Sequence, residues 1–345
     1  MSNILKILIP ATISFLSGLF LTPVLTHYFY KYKMWKKTAR SKNTSDNFKK
    51  ICNDAETSTP RTGGMIIWLS VSITIFIILF LDLIIPSDIT QKLNFISRNQ
   101  TLLPLFTLIL ASLIGLGDDF IQIFNKNKWT KDSIKLRYIK AGIILILGIV
   151  IGSWFYFKLG ITELYIPWYG FINLGSLFIP FFIIVMLGIF SSSVIDGIDG
   201  LAGGILASIF ASYTLIAFLN NQIDIATLSA VITGGILAFL WFNIPPARFY
   251  MGETGMIGLT VTLAVLAFMT NTVLLLPVIA FPLIATSLSN IIQMTAKKFN
   301  RKVFKFAPFH HHLEAIGWSR YKIVMRYWIV GTITAIIGII LSLIS

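Results

Sequence analysis

The sequence predicts an all-α polytopic membrane protein, and three observations carry that reading. Hydrophobic residues make up 56% of its 345 residues and charged residues only 12%, against about a quarter charged in an ordinary soluble domain. Apolar runs recur from end to end with no long polar block between them, and about 20 apolar residues suffice for a helix to cross roughly 30 Å of hydrocarbon. Basic residues fall in the gaps between these runs, concentrated in alternate gaps.

Taken in order, the spans are expected at 4–29, 64–85, 101–117, 139–157, 178–195, 203–219, 226–243, 256–271, 273–293 and 323–344. That makes about ten, the third and eighth being short, in a single domain over 1–345. The first run is too long for a signal-peptide core and ends at Lys31 and Lys33 without a small-residue cleavage site, so it is expected to be retained. Pro10, Pro23, Pro277 and Pro282 lie inside spans, which membrane helices tolerate. Residues 160–175, GITELYIPWYGFINLG, are aromatic and β-prone and predict a short hairpin at the exterior interface, beside Trp168 and Tyr169. The lone Cys52 excludes an internal disulfide, and no C-x-x-C spacing suggests zinc.

Charge sets the orientation. The gaps at 30–63 and 118–138 and the later loops on the same side hold 22 Lys and Arg, whereas the opposite gaps hold only Lys92, Arg98 and Lys158. Positive charge marks the cytoplasmic side, so those loops are expected inside and, with ten spans, both termini exterior. The formal net charge of +14 is then accounted for by topology and attraction to anionic lipid, and no nucleic-acid partner is expected.

Of 14 acidic residues, Asp118, Asp119, Asp196, Asp199 and Glu253 sit at cytoplasmic span ends or in tight loops between spans. An ionised side chain costs about 2.5–3.5 kcal/mol at a helix centre and less at an end, so five on one face call for a compensating partner, most simply a divalent cation. Asp118 and Asp119 are adjacent in LGDDFIQ, where repulsion raises one pKa or recruits a cation; a solvated helix end is the plainer alternative. Asp196 and Asp199 in VIDGIDGLAGG share a face if helical, although DGxDG also suits a cap and turn. Glu253, between Gly252 and Gly255 in FNIPPARFYMGETGMIG, opens the eighth span as either a cap or a site residue. The last cytoplasmic loop carries KFAPFHHHLEAIGW with His310, His311 and His312, which suit metal or phosphate oxygens, while His27 stands alone at an interface. No G-x-S-x-G, Walker A, H-E-x-x-H or G-x-G-x-x-G competes. Carboxylates, a cation, basic loops and histidines suit phosphoryl chemistry, with hydrolysis or transfer open at this level.

The order GDDF, DGIDGLAGG, FNIPPARFYMGETG, APFHHHLEAIGW, with about ten spans and TPRTGG at 59–64, resembles the polyprenyl-phosphate N-acetylhexosamine-1-phosphate transferases over nearly the whole chain. Within that superfamily PFHHHLEAIGWSRYKIVMRYWIV is similar to the phospho-N-acetylmuramoyl-pentapeptide transferase branch. The resemblance implies a bacterial plasma-membrane enzyme of peptidoglycan synthesis. Its partners would be a UDP-linked amino sugar and a polyprenyl phosphate, its cofactor Mg²⁺, and its products lipid I and UMP; it leaves a homodimer open. By motif, Asp118 and Asp119 would handle the lipid phosphate, with Asp118 as base or positioning group. Asp196 and Asp199 would serve the nucleotide side, Glu253 would hold Mg²⁺ with Asp196, and His310, His311 and His312 would contact the diphosphate. This chain departs from the family pattern at Glu253, usually Asp, at Gln122, often Lys, and at Phe190 and Ser193, commonly Asn. A family lysine ahead of TPxxGG also has no counterpart among Asp54, Ala55, Glu56 and Thr57. Ser193 is then expected near the nucleotide, with Arg61, Lys126, Lys128 and Lys131 as replacement phosphate contacts. Two alternatives remain: a sibling enzyme using another UDP-N-acetylhexosamine, and a transporter or ion pathway, which would place its acids near mid-span.

Overall fold

The computed structural model describes residues 3–35, 58–98, 100–124 and 133–344. Among them nine helices are long and apolar enough to cross a membrane, or ten when a bent pair counts as one span. Helices are what such sequences must form, because the bilayer offers no water to satisfy a backbone N–H or C=O and only intrahelical bonds do so.

The helices are α1 (Asn3–Lys31), α2 (Met65–Ile84), a short α3 (Asp88–Leu93), α4 (Leu102–Phe124) and α5 (Ser133–Ser153). After α5 a π-helical turn, Trp154–Lys158, carries the span onward to an antiparallel hairpin, β1 (Glu163–Ile166) and β2 (Gly170–Asn173). Next come α6 (Phe178–Phe190), α7 (Leu201–Leu219), α8 (Ile223–Asn243) and α9 (Gly252–Met269). The chain closes with α10 (Leu276–Ile279), α11 (Phe281–Lys298), α12 (Phe309–Ala315) and α13 (Arg320–Ile344). Every expected span is present, as is the hairpin, whose register pairs Glu163 with Asn173 and Ile166 with Gly170. Trp168 and Tyr169 sit exposed in its turn.

The eighth span begins at Gly252 instead of 256, so Glu253 lies in the first turn of α9 and not in a loop ahead of it, and two other spans differ from expectation. The third span was expected to end at 117, but α4 continues through Asp118 and Asp119 to Phe124, because nothing after Gly117 breaks a helix and DDFIQIF remains compatible with one. The ninth span is not straight: Val273–Ile279 and Phe281–Lys298 meet at 86°.

The core lies around α9. Of its apolar stretch 89% is buried, against 22% for α1 and 17% for α13, so α9 is the central post and the outer helices face lipid. α4 lies against α9 through small residues: a Cβ on Gly115 would lie 2.3 Å from the carbonyl oxygen of Glu253, and the Thr254 hydroxyl donates to the Ser112 carbonyl at 2.9 Å. Such close backbone approach is how membrane helices gain dispersion contacts without a hydrophobic drive.

The contacts sort the loops into two ends. At one, Lys6 pairs with Asp224 at 2.6 Å and Gln222 donates to the Met269 carbonyl. At the other, the segment at 60–64, the end of α4, the 196–200 loop, the 244–252 loop and α12 meet one another. All four sequence motifs are at this second end.

Candidate active site

The site is organised by the turn that opens α9. Gly252 has φ +68°, and a Cβ there would lie 1.7 Å from the Arg61 carbonyl oxygen, so both the left-handed backbone and the space require glycine. The TPRTGG segment fixes this turn from one side. Tyr250 N–H donates to the Pro60 carbonyl, and Gly63 and Gly64 donate to the carbonyls of Tyr250 and Met251, all between 2.7 and 2.9 Å.

Acidic side chains hold the turn from the others. Asp119 is almost fully buried, and its two oxygens accept from Glu253 N–H at 3.1 Å and Thr254 N–H at 2.9 Å. Asp196 Oδ2 accepts from Gly252 N–H at 3.0 Å, and Asp199 Oδ2 from Ala247 N–H at 3.1 Å. The helical face considered for Asp196 and Asp199 is not formed: Ser191–Ile195 is a 3-10 turn and Asp196–Gly200 is a loop, so the two carboxylates reach separate points on the 247–252 segment. Ser193 lies in the 3-10 turn, its carbonyl accepting the Asp196 N–H.

Asp118 turns away from its neighbour, since successive helical residues diverge by about 100°. Its Oδ2 accepts from Gln122 Nε2 at 2.5 Å and from Lys140 Nζ at 2.6 Å. The same ammonium donates to Glu253 Oε1 at 2.7 Å. Because α4 runs on as a helix, Asp118 and Asp119 are internal to it and not the solvated helix end considered above.

Three further residues were not singled out in the sequence. Lys140 is one, and its position just inside an apolar span was a signal, since an intramembrane charge implies a partner. Asn243, at the end of α8, accepts from Gly200 N–H at 3.0 Å and donates to the Phe249 carbonyl at 2.8 Å, tying the 196–200 loop to the 244–252 loop. Tyr250 is the third. Burial, and then the Asp199 charge, push its phenol up to about 12, so it remains protonated and a donor at neutral pH.

The histidines separate. On the short α12, His310 and His311 are buried, and a Cβ on Gly197 would lie 2.8 and 3.1 Å from their Nε2 atoms. They press on the DGIDG loop. His312 instead accepts from Lys305 N–H at its Nδ1 and packs against Phe304 and Phe309, so the structure does not bring it to the acids. His311 Nδ1 lies 3.2 Å from Glu314 Oε2, and Arg320 Nε donates to Glu314 Oε1 at 2.7 Å. The hydrogen bond from His311, with Arg320 behind it, holds Glu314 down at about 2 despite burial. A carboxylate at Nδ1 fixes the His311 tautomer and ring orientation, leaving Nε2 toward Gly197.

The Arg61 carbonyl oxygen packs against Gly252, and the buried Nε of the same residue has no hydrogen-bond partner among the described residues. Lys126, Lys128 and Lys131 lie outside the described residues. The acids are at one end of the bundle, whereas a transporter or ion pathway would place them near mid-span. No group of three or more His, Cys, Asp or Glu side chains forms a ready metal cage among the described residues. Mg²⁺ does not require one, since it is commonly held by one or two carboxylates together with substrate phosphates and water. Asp196 accepts from the Gly252 N–H and Glu253 is the next residue along, and both carboxylates are hard oxygen donors of the kind Mg²⁺ takes.

Residues 101–271 match glycosyl transferase family 4. Over nearly their whole lengths, the chain is also similar to curated proteins named phospho-N-acetylmuramoyl-pentapeptide-transferase. The protein from Caldanaerobacter subterraneus subsp. tengcongensis is 30% identical over 96% of both chains. That from Latilactobacillus sakei is 32% identical over 94% of this chain and 99% of its own. That from Staphylococcus carnosus is 32% identical over 95% and 97%.

Proposed function

The chain belongs to the phospho-N-acetylmuramoyl-pentapeptide-transferase family, and from that premise we propose that it transfers phospho-N-acetylmuramoyl-pentapeptide from its UDP conjugate to undecaprenyl phosphate, giving lipid I and UMP. It is a multi-pass protein of the bacterial plasma membrane. The observation that carries the reading is the convergence of Asp118, Asp119 and Asp196 on the turn bearing Glu253, next to Lys140 and Arg61. These groups come from segments far apart in sequence, and both their charges and their donors suit phosphates.

In this reaction an oxygen of the lipid phosphate attacks the β-phosphorus of the UDP conjugate. The bond from that phosphorus to the bridging oxygen breaks, and UMP leaves with the electron pair. The nucleophile is already anionic, so orientation and charge neutralisation matter more than proton abstraction. Asp118, the more exposed acid of its pair, would orient the lipid phosphate. Asp119 has both oxygens committed to backbone N–H groups, so its part is to hold Glu253 in place. Glu253 and Asp196 would hold Mg²⁺, which when bound supplies neutralisation of the diphosphate charge. Asp199, Ser193, His310 and His311 line the nucleotide side, and Arg61 offers its guanidinium to a phosphate oxygen. His312 acts through the 304–309 loop. The motif end faces the cytoplasm, where UDP conjugates are made, and both termini face the exterior.

The test is UMP release by purified protein with undecaprenyl phosphate and a panel of UDP-sugars. The account expects turnover with UDP-N-acetylmuramoyl-pentapeptide and little with UDP-N-acetylglucosamine. The reverse preference would reassign the enzyme to a sibling reaction.

A further inference from the structure

Lys140 poses a question that the transfer reaction does not answer. Its side chain is only 16% exposed, and its ammonium sits between Asp118 of α4, at 2.6 Å, and Glu253 of α9, at 2.7 Å. A single cation therefore ties together three spans at the point where the site is most acidic. Without a counter-ion these carboxylates would face each other in a setting where charge is weakly screened. Lys140 supplies that counter-ion from within the chain.

An ammonium and a divalent cation cannot both sit on Glu253 Oε1 without strong mutual repulsion. We infer that Lys140 is the resident counter-cation of the site: it competes with the divalent cation for Glu253, and so keeps affinity for the free cation low until a diphosphate brings further negative charge. Lys140 is then a positioning residue. It holds Glu253 in the ligand-free enzyme and gives way when cation and nucleotide arrive together, remaining tethered to Asp118. The inference rests on the proposed metal role of Glu253 and concerns what sets the strength of that site.

The test measures Mn²⁺ binding by electron paramagnetic resonance on the purified full-length protein without substrate, comparing the parent with Lys140→Gln and Lys140→Arg. Freeing the carboxylates of a close cation should tighten Mn²⁺ binding of Lys140→Gln by about tenfold, while Lys140→Arg, which keeps the charge, should bind as the parent does. A purely structural lysine would not produce tighter binding. Equal or weaker binding by Lys140→Gln, with saturable binding by the parent, overturns the competition and leaves the metal reading of Glu253 standing. Saturable binding by neither protein overturns both. If Lys140→Gln is too unstable to purify, the comparison is made in membranes as the rise in melting temperature on adding Mg²⁺. That rise is expected to be larger for Lys140→Gln than for the parent, and an equal or smaller rise overturns the inference.

Discussion

Replacing Asp119 by Asn separates two accounts of the acidic pair. Asp119 is 1% exposed, and its oxygens accept from the backbone N–H groups of Glu253 and Thr254 at 3.1 and 2.9 Å. Asn is close to isosteric but has one acceptor oxygen, so its NH₂ group must face one of these N–H donors. One hydrogen bond, worth about 0.5–1.5 kcal/mol, is lost and a buried donor is left unpaired at a cost of about 1–3 kcal/mol, together roughly 2–4 kcal/mol. At about 1.4 kcal/mol per factor of ten, local opening of the 252–254 turn should become some thirty- to several-hundred-fold more frequent. Hydrogen exchange in peptides covering this turn should rise accordingly, and turnover, measured as UMP release, should fall with it because Glu253 is no longer held. An Asn variant that is inactive while exchange at 252–254 is unchanged would refute this positioning role and put Asp119 in direct contact with the reacting groups.

Gly252→Ala combines a positive φ, worth about 1–2 kcal/mol against a side chain, with a Cβ 1.7 Å from the Arg61 carbonyl oxygen. Its activity and melting temperature should both fall, and parent-like values would show that the turn adapts. Asn243→Ala leaves Gly200 N–H and the Phe249 carbonyl without their partner, so a raised KM for the UDP conjugate and a lower melting temperature are expected; an unchanged pair of values would remove Asn243 from the loop connection. For Glu314 the folded pKa, about 2, lies below its ordinary 4.5, so its stabilising contribution is complete above 4.5 and is lost as pH falls toward 2. The melting-temperature gap between parent and Glu314→Gln should therefore be constant near neutral pH and close between 4.5 and 2; a gap that widens on acidification would contradict the assignment.

Much of this architecture could be read from the sequence because hydrophobic length is a direct consequence of bilayer thickness. The places where it could not be read have physical causes. The residues immediately flanking Ala280 are apolar, so hydropathy does not mark the 86° change in direction there; Pro277 and Pro282 flank it, but membrane helices carry prolines without such a bend. The extension of α4 past Gly117 was obscured because polar residues end an apolar run without ending a helix. Within the site, the acids stood out through the cost of charge in apolar surroundings, but their partners depend on tertiary contact. Asn243 connects loops that are distant in sequence, and Lys140 meets Glu253 from 113 positions away. The histidine triplet was visible as a block, yet a helix sends consecutive side chains in different directions, so His310 and His311 face the DGIDG loop while His312 packs against Phe304 and Phe309.

If carboxylates gathered on the α9 turn support a cation-assisted transfer to a lipid phosphate, UMP and lipid product must arise together and only with the cation. Both are followed at once from purified protein given UDP-N-acetylmuramoyl-pentapeptide and undecaprenyl phosphate, with Mg²⁺ and then with excess chelator. UMP and lipid-linked phospho-sugar are expected in equal amounts with Mg²⁺, and neither after chelation. Undiminished UMP release in chelator, or UMP formed without a lipid product, would contradict such a transfer.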